Sequence, residues 1–516
     1  MADNSAGFSP IYEELLARFA GTTRERAGGY GKAGEGVREE LVRCIWFGGH
    51  LPREDLTLDD GRRMEIVSPG WWNVEGGPDF LRAEILLEGE GRTVGDVEVH
   101  THASGWRAHG HHEQPTYNDV ILHVTMWSAP DSDHVLAEDG TEIPQLTLSR
   151  VLDDDLAELV ELLDPEDTPV EEHHAPSGKY CSAALASGEL DPDWLGRLLD
   201  AAGDHRMLTR ARTFTRLFGQ QSREQLLYER IADALGFKNN RMPFVQLAAS
   251  LPLSALRRAV PEDTSLHERA MVLEGAMFGA SGLMDDLPAD LDPETGDYVQ
   301  ALEQSWRALP EELKEYRLSS DHWQLGGTRP VNYPTRRIAA LARLYARHLH
   351  GGLFGHLAGA LHSASPAPRQ RMDVALRNAL LEVFTDLAHP YWSHHYNFGG
   401  RRLGDPKALV GKQRATAILV DVLLPLLLAH AEDTEDAELL KRIHTLWSGL
   451  PRRTGNTVIR KMQQAMFPSK EEARALVDST RRQQGLHQLY RDACRTDDGC
   501  VRCVLHLAHK AAHPIA

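Results

Sequence analysis

The hydrophobic period of this chain changes once along its length, and that change restricts the available folds more than any other feature. Before about residue 150, apolar residues alternate with polar ones or run together in short blocks bounded by Gly, Asp and Pro, the patterns of half-buried and fully buried strands. From Asp191 onward, Leu, Ala and Arg recur at three- and four-residue intervals, the period of amphipathic helices. Between them, the stretch from Leu152 to Glu172 crowds acids together with two prolines. Its first half reads as a short helix and its second as a solvated linker. The pattern predicts an N-terminal extension over 1–35, an α/β domain over 36–150, an acidic linker over 151–180 and a helical domain over 181–516. No repeat of fixed period is found, so a solenoid is not supported.

Within the first domain, EELVRCIWFGGHL sets Leu41, Ile45 and Trp46 near one face and predicts a helix opening at about Gly36. RMEIVS alternates as a strand does, and AEILLEGEGRTVGDVEVHT reads as two strands around a glycine-rich turn. YNDVILHVTMW is strongly β-forming and predicts a central strand. The expected fold class is therefore a mixed sheet flanked by helices, followed by a mostly α-helical region.

With 516 residues, 42% of them hydrophobic and 25% charged, the chain is globular in composition and too long for one core. The first residues lack the basic start and apolar run of a secretory signal, and five cysteines do not make a disulfide framework. The longest apolar stretch, Ala417 to Ala431, contains Asp421 and Pro425 and reads as a buried helix rather than a membrane span. A cytoplasmic location with no membrane partner is expected; oligomeric state is not legible. The acidity is local. Residues 1–180 hold 14 Lys and Arg against 36 Asp and Glu, whereas the remainder holds 42 against 39. Affinity for phosphates rests on cations releasing counterions, so a polyanionic partner would have to be held by the C-terminal two thirds.

Four groups of residues carry candidate chemistry. Asp79 follows Pro78, and nineteen residues later comes Glu98, with His100 two further on. On a strand Asp96, Glu98 and His100 share one face, and two carboxylates from neighbouring strands offer the oxygen ligands that Mg²⁺ or Mn²⁺ takes. Next, His109, His111, His112 and His123 follow His100 and His102 closely. Clustered imidazoles suit a transition metal, although no zinc-motif spacing is present. Trp106 and Tyr117 in the same segment are expected in the core. Third, Cys494, Cys500 and Cys503 lie at short spacing, with Cys181 as the natural fourth ligand for zinc or an iron–sulfur cluster; Cys44, on the apolar helix, reads as core. Finally, Arg329, Arg336, Arg337, Arg401 and Arg402 lie near Trp392, Tyr396 and Phe398, a mixture of charge and stacking surface found where nucleic acid binds.

PD followed by ExH on the next strand resembles the core of the PD-(D/E)XK nuclease superfamily. The resemblance implies a restriction-endonuclease-like sheet, a divalent ion on Asp79 and Glu98, and catalytic roles for Asp79, Glu98, His100 and a helix acid, Glu39 or Glu40. His100 stands where that superfamily usually has Lys. Certain nucleases of the superfamily also hold an iron–sulfur cluster with one distant and three C-terminal cysteines, in a different order of spacings. Across nearly the whole chain, GPDF, GDVEVH, YNDVILHV, RPVNYPTRR, HPYWSHHYNFG and the terminal CxxC resemble one bacterial family of unknown function. The leading expectation is a metal-dependent phosphodiesterase acting on DNA or RNA. Two alternatives stand beside it: a catalytically inactive nuclease fold kept as a nucleic-acid or protein scaffold, and a scaffold whose metal sites are purely structural.

Overall fold

Alternation organises the sheet. In β2 (Arg63–Ser68), β4 (Phe80–Leu87), β5 (Gly91–His102) and β6 (Val120–Trp127), successive side chains face opposite sides. Short strands β1 (Leu56–Thr57), β3 (Trp71–Trp72) and β9 (Gln145–Thr147) complete a seven-stranded sheet in the order β1-β2-β4-β5-β6-β9, with β3 beside β4. A separate hairpin pairs β7 (Val135–Leu136) with β8 (Glu142–Ile143). The pairs β2/β4 and β4/β5 are antiparallel, the latter closing through a tight turn at Leu87 and Gly91. The pairs β5/β6 and β6/β9 are parallel, so the sheet is mixed and β6 is internal. The hairpin, the alternating strand and the central strand read from the sequence all form.

A computed structural model describes residues 7–24, 39–47, 51, 56–73, 76–128, 135–152, 179–237, 239–315, 317–326, 328–494, 500 and 503–512. It comprises two compact units, one of Glu14–Ala175 with Val501–Ala516 and the other of Met1–Glu13 with Pro176–Cys500. Most of the expected linker, residues 153–178, and the side chain of Glu40 lie outside the described residues.

The parallel β5/β6 pairing obliges the chain to cross over between them. It does so through helix α3 (Gly105–Ala108) and two 3₁₀ turns, His111–Glu113 and Pro115–Tyr117, and so delivers the histidine-rich segment to the end of β5. One face of β5, β6 and β9 is apolar: Val97, Val99, Leu122, Val124 and Leu146 are fully buried. The other face is also buried, yet it carries Glu98, His100, His123, Thr125, Gln145 and Thr147. Helix α2 (Glu39–Phe47) buries Val42, Cys44, Ile45 and Trp46, and Phe47 joins Trp72 and Phe80 in an aromatic cluster. As expected, Trp106 and Tyr117 belong to a small core with Val120, Val135 and Ile143.

The second unit is helical around one large core. Phe8 is part of it, Ser9 N donates to Asp204 Oδ2 (2.9 Å) and the Tyr12 hydroxyl donates to Asp492 Oδ2 (2.7 Å). Residues read as an N-terminal extension therefore complete a core, because Phe8 and Tyr12 gain more by burial than a free tail permits. Helices Pro192–Leu217 and Thr480–Leu489 approach so closely that a Cβ at Gly203 would lie 2.2 Å from Arg481 O, and one at Gly485 2.1 Å from Leu199 O. The apolar helix Lys412–Asp433 is 22 residues long, enough to cross a membrane by length and composition, but 72% of its apolar window is buried in the protein. Burial, rather than the shortness inferred from the sequence, identifies it as a core helix. Its π turn, Leu419–Leu423, ends two residues before Pro425, whose ring is incompatible with the ordinary bond to the carbonyl four residues back.

Candidate metal centre

Antiparallel pairing of Phe80 with Val97 brings the residue before β4 beside the residue after Val97. Asp79 N donates to Glu98 Oε2 (3.0 Å), and Val99 N donates to Asp79 Oδ2 (2.9 Å). Asp79 Oδ1 accepts from the Arg43 guanidinium of α2, so both of its carboxylate oxygens are engaged. One helical turn before Arg43, Glu39 forms an ion pair with it at 3.5 Å. Asp79 and Glu98 are buried, and Glu39 is partly exposed. Burial pushes the Glu98 carboxyl up, against the pull of His111; burial also pushes Glu39 up, against the pull of Arg43.

Glu98 Oε1 faces imidazoles: His111 Nε2 lies 3.1 Å away and His100 Nε2 3.7 Å away. His100 Nε2 is also 3.0 Å from His109 Nδ1, and one nitrogen from each of His100, His109 and His111 falls within 4.8 Å of the others. His100 and His111 are buried and His109 is exposed. The His111 ring packs on Tyr117 with centroids 3.9 Å apart. Gly105 is required where α3 crosses His100, since a Cβ there would lie 2.5 Å from the ring. Behind His100 the polar face of the sheet continues. His100 Nδ1 meets His123 Nε2 at 2.9 Å, His123 Nδ1 meets Gln145 Oε1 at 3.0 Å, and Gln145 Nε2 donates to Asp59 Oδ2 at 2.7 Å. Burial pulls His100 down to about 2, aided by His123, His111 and His109, and pulls His123 to about 4. Both are neutral imidazoles at physiological pH.

The family model for DUF2851, described as a protein of unknown function, matches residues 39–455. The chain belongs to this family. No curated protein and no solved structure matches it. The DUF2851 match takes in every residue of the centre from Glu39 to Gln145 and stops short of Cys494, Cys500 and Cys503.

Of the residues singled out in the sequence, the structure gathers Glu39, Asp79, Glu98 and His100 into one place and brings His109, His111 and His123 of the histidine cluster to them. The donor set it offers is not the two-carboxylate set expected for Mg²⁺, because Asp79 is occupied by Arg43 and Val99 and a single oxygen, Glu98 Oε1, faces the imidazoles. Arg43, Gln145 and Asp59 were missed. Arg43 lies four residues after Glu39, a spacing that places both on one helical face; Gln145 and Asp59 carry no comparable signal in the sequence.

The arginines singled out within the DUF2851 match divide. Arg329, Arg401 and Arg402 are exposed, the last paired with Glu294. Arg336 is fully buried and donates to the carbonyls of Trp392, His395 (2.9 Å), Lys407 (3.1 Å) and Ala408 (2.9 Å). Arg337 is buried against Leu409 O and Asn332 Oδ1. These two clamp the loop that follows Trp392 to the helix Pro334–His348, and present no charge to a polymer. Trp392 and Phe398, read as stacking surface, are core. Cys181 and Cys494 are buried and Cys500 is half-buried within the helical unit, whereas the buried Cys503 belongs with the sheet unit.

Proposed function

We propose that this DUF2851 protein is a metal-dependent phosphodiesterase acting on nucleic acid, with its reaction centre at Glu98. The supporting observation is the 3.0 Å bond from Asp79 N to Glu98 Oε2, which sets acids of adjacent antiparallel strands side by side, with the helix acid Glu39 paired to the Arg43 that also engages Asp79. The order of acids along the strands is the one implied by the resemblance to PD-(D/E)XK nucleases and the mixed sheet agrees with it, but with both Asp79 oxygens committed the ion would rest on Glu98. A bound divalent ion supplies Lewis acidity to a phosphoryl oxygen and to water. Glu39, partly exposed and pushed up by burial, is suited to take a proton from attacking water and return it. His100 stands in the lysine position but is neutral, so it supplies a lone pair or a hydrogen bond and no positive charge.

A second reading draws on one observation. With both Asp79 oxygens committed, the fold is suited to serve as a binding scaffold without cleavage. The two separate in one assay: purified protein with Mn²⁺ or Zn²⁺ is offered single-stranded, double-stranded and structured DNA and RNA. The phosphodiesterase reading expects cleavage that falls by about 100-fold or more in Glu98→Gln and Glu39→Gln. Binding without cleavage of any substrate supports the scaffold and removes the enzyme.

A further inference from the structure

We propose that Glu98, His100, His109 and His111 bind a zinc-class transition-metal ion, and that His123, Gln145 and Asp59 act as positioning residues that hold His100 in the tautomer ligation requires. The site shares Glu98 and His100 with the phosphodiesterase reading, but it stands or falls separately.

The tautomer follows from the chain of hydrogen bonds. Asp59 is also the acceptor for Thr147 Oγ1 (2.7 Å) and for Arg150 (3.0 Å), so it faces Gln145 Nε2 as an acceptor. The Gln145 amide is thereby oriented with Oε1 toward His123, and His123 Nδ1 carries the proton. A neutral imidazole has one donor and one acceptor, so His123 Nε2 accepts and His100 Nδ1 donates. His100 Nε2 is left as a lone pair directed at Glu98 and His109. Backing of a ligand histidine by a hydrogen-bonded neighbour is how metal sites fix ring orientation and raise basicity.

Geometry and chemistry agree on the class of ion. Zinc with bonds of about 2.0–2.1 Å has its tetrahedral ligands about 3.3 Å apart. Three of the six edges, 3.0 Å for His100 to His109, 3.1 Å for His111 to Glu98 and 3.7 Å for His100 to Glu98, bracket that value, and the three imidazole nitrogens lie within 4.8 Å of one another, so closure on an ion draws them together. Three nitrogens and one oxygen suit a borderline ion, whereas Mg²⁺ demands an octahedron of oxygens. His111 supplies an independent sign. It is more than nine-tenths buried, its Nδ1 has no hydrogen-bond partner, and its Nε2 lies 3.1 Å from Glu98 Oε1, inside the cluster. His109, the exposed member, is the ligand able to yield to water or substrate, the open position that separates a reactive zinc site from a closed one.

The test is titration of the metal-stripped full chain with Zn²⁺ by calorimetry, with Mg²⁺ as competitor, and substitution by Co²⁺ read in the visible spectrum. One equivalent of zinc is expected to bind, millimolar Mg²⁺ is not expected to displace it, and Co²⁺ is expected to give the intense bands of a four-coordinate site. His111→Ala is expected to weaken zinc by about 100-fold, and Gln145→Leu, which breaks the positioning chain, by about 10- to 100-fold. Because those sites are buried, His109→Ala provides the surface variant: it should fold normally, weaken zinc by at least about tenfold and alter the Co²⁺ bands. His112→Ala should leave both readouts unchanged. Absence of stoichiometric zinc binding, displacement by Mg²⁺, or an equal loss in His112→Ala overturns the site. Zinc binding without cleavage of any nucleic acid removes the phosphodiesterase reading and leaves this one. Cleavage supported by Mg²⁺ alone in a protein that binds no zinc does the reverse.

Discussion

Arg43 and Asp79 show how a single partner decides what an acid is for. With the guanidinium in place, the Asp79 carboxylate is a structural tie between helix α2 and the C-terminal half of β5, and its charge is compensated inside the protein. Arg43→Met leaves that charge buried and unpaired, and is expected to cost about 3 kcal/mol of stability in urea denaturation; adding Asp79→Asn to it should recover most of the loss. Arg336 offers a parallel case. Its planar fork reaches four carbonyls at once, which a lysine ammonium cannot match, so Arg336→Lys is expected to cost about 2 kcal/mol or more by the same measurement. At this scale the sequence was partly legible. Pro78-Asp79 and Glu98-x-His100 stood out because strand alternation alone puts Glu98 and His100 on one face. The partners of Asp79 and of Arg336 did not, because a charged letter carries no information about burial, and both contacts join residues far apart in the chain.

Elements were more legible than contacts, and the reason is periodicity. β2, β4, β5 and β6 follow from two-residue alternation or β-branched runs, and the long helices follow from their apolar stripes. Helix α3 and the two 3₁₀ turns after it are too short to show a period, so the crossover that carries His109 and His111 read as irregular. Close helix contact was equally hidden, because Gly203 and Gly485 look like ordinary weak points until their backbones meet. Gly485→Ala forces a Cβ against the carbonyl of Leu199, and a loss of about 1–3 kcal/mol is expected in thermal or urea unfolding. A pH effect arises elsewhere in the helical unit. At the end of helix Pro334–His348, burial, then His356 and Arg347, pull His348 down to about 4 from an ordinary 6.5. The unfolded chain then takes up a proton the folded one refuses, so stability declines as pH falls from about 6.5 through about 4. His348→Gln should flatten that part of the stability–pH curve relative to the parent protein.

Across the whole molecule, the change of hydrophobic period marks a real division, since a sheet-bearing unit and a helical unit each have their own core. Membership at the ends was not legible, because Phe8 and Cys503 belong to units remote from them in composition and only packing assigns them. Two cores predict two thermal transitions in calorimetry of the full chain. Zinc at about 100 times its Kd should raise only the transition of the sheet unit, by about 2.7 kcal/mol; a uniform shift of both, or of neither, would contradict the assignment of the ion to Glu98 and its histidines. The polar face behind those histidines has a consequence of its own. Strands stand about 4.8 Å apart, and the line from His109 through His100, His123 and Gln145 to Asp59 steps across three of them without a gap. Turning the Gln145 amide over would reverse every donor in that line up to the solvent, so the outermost strand governs the reactivity of a ring it never touches.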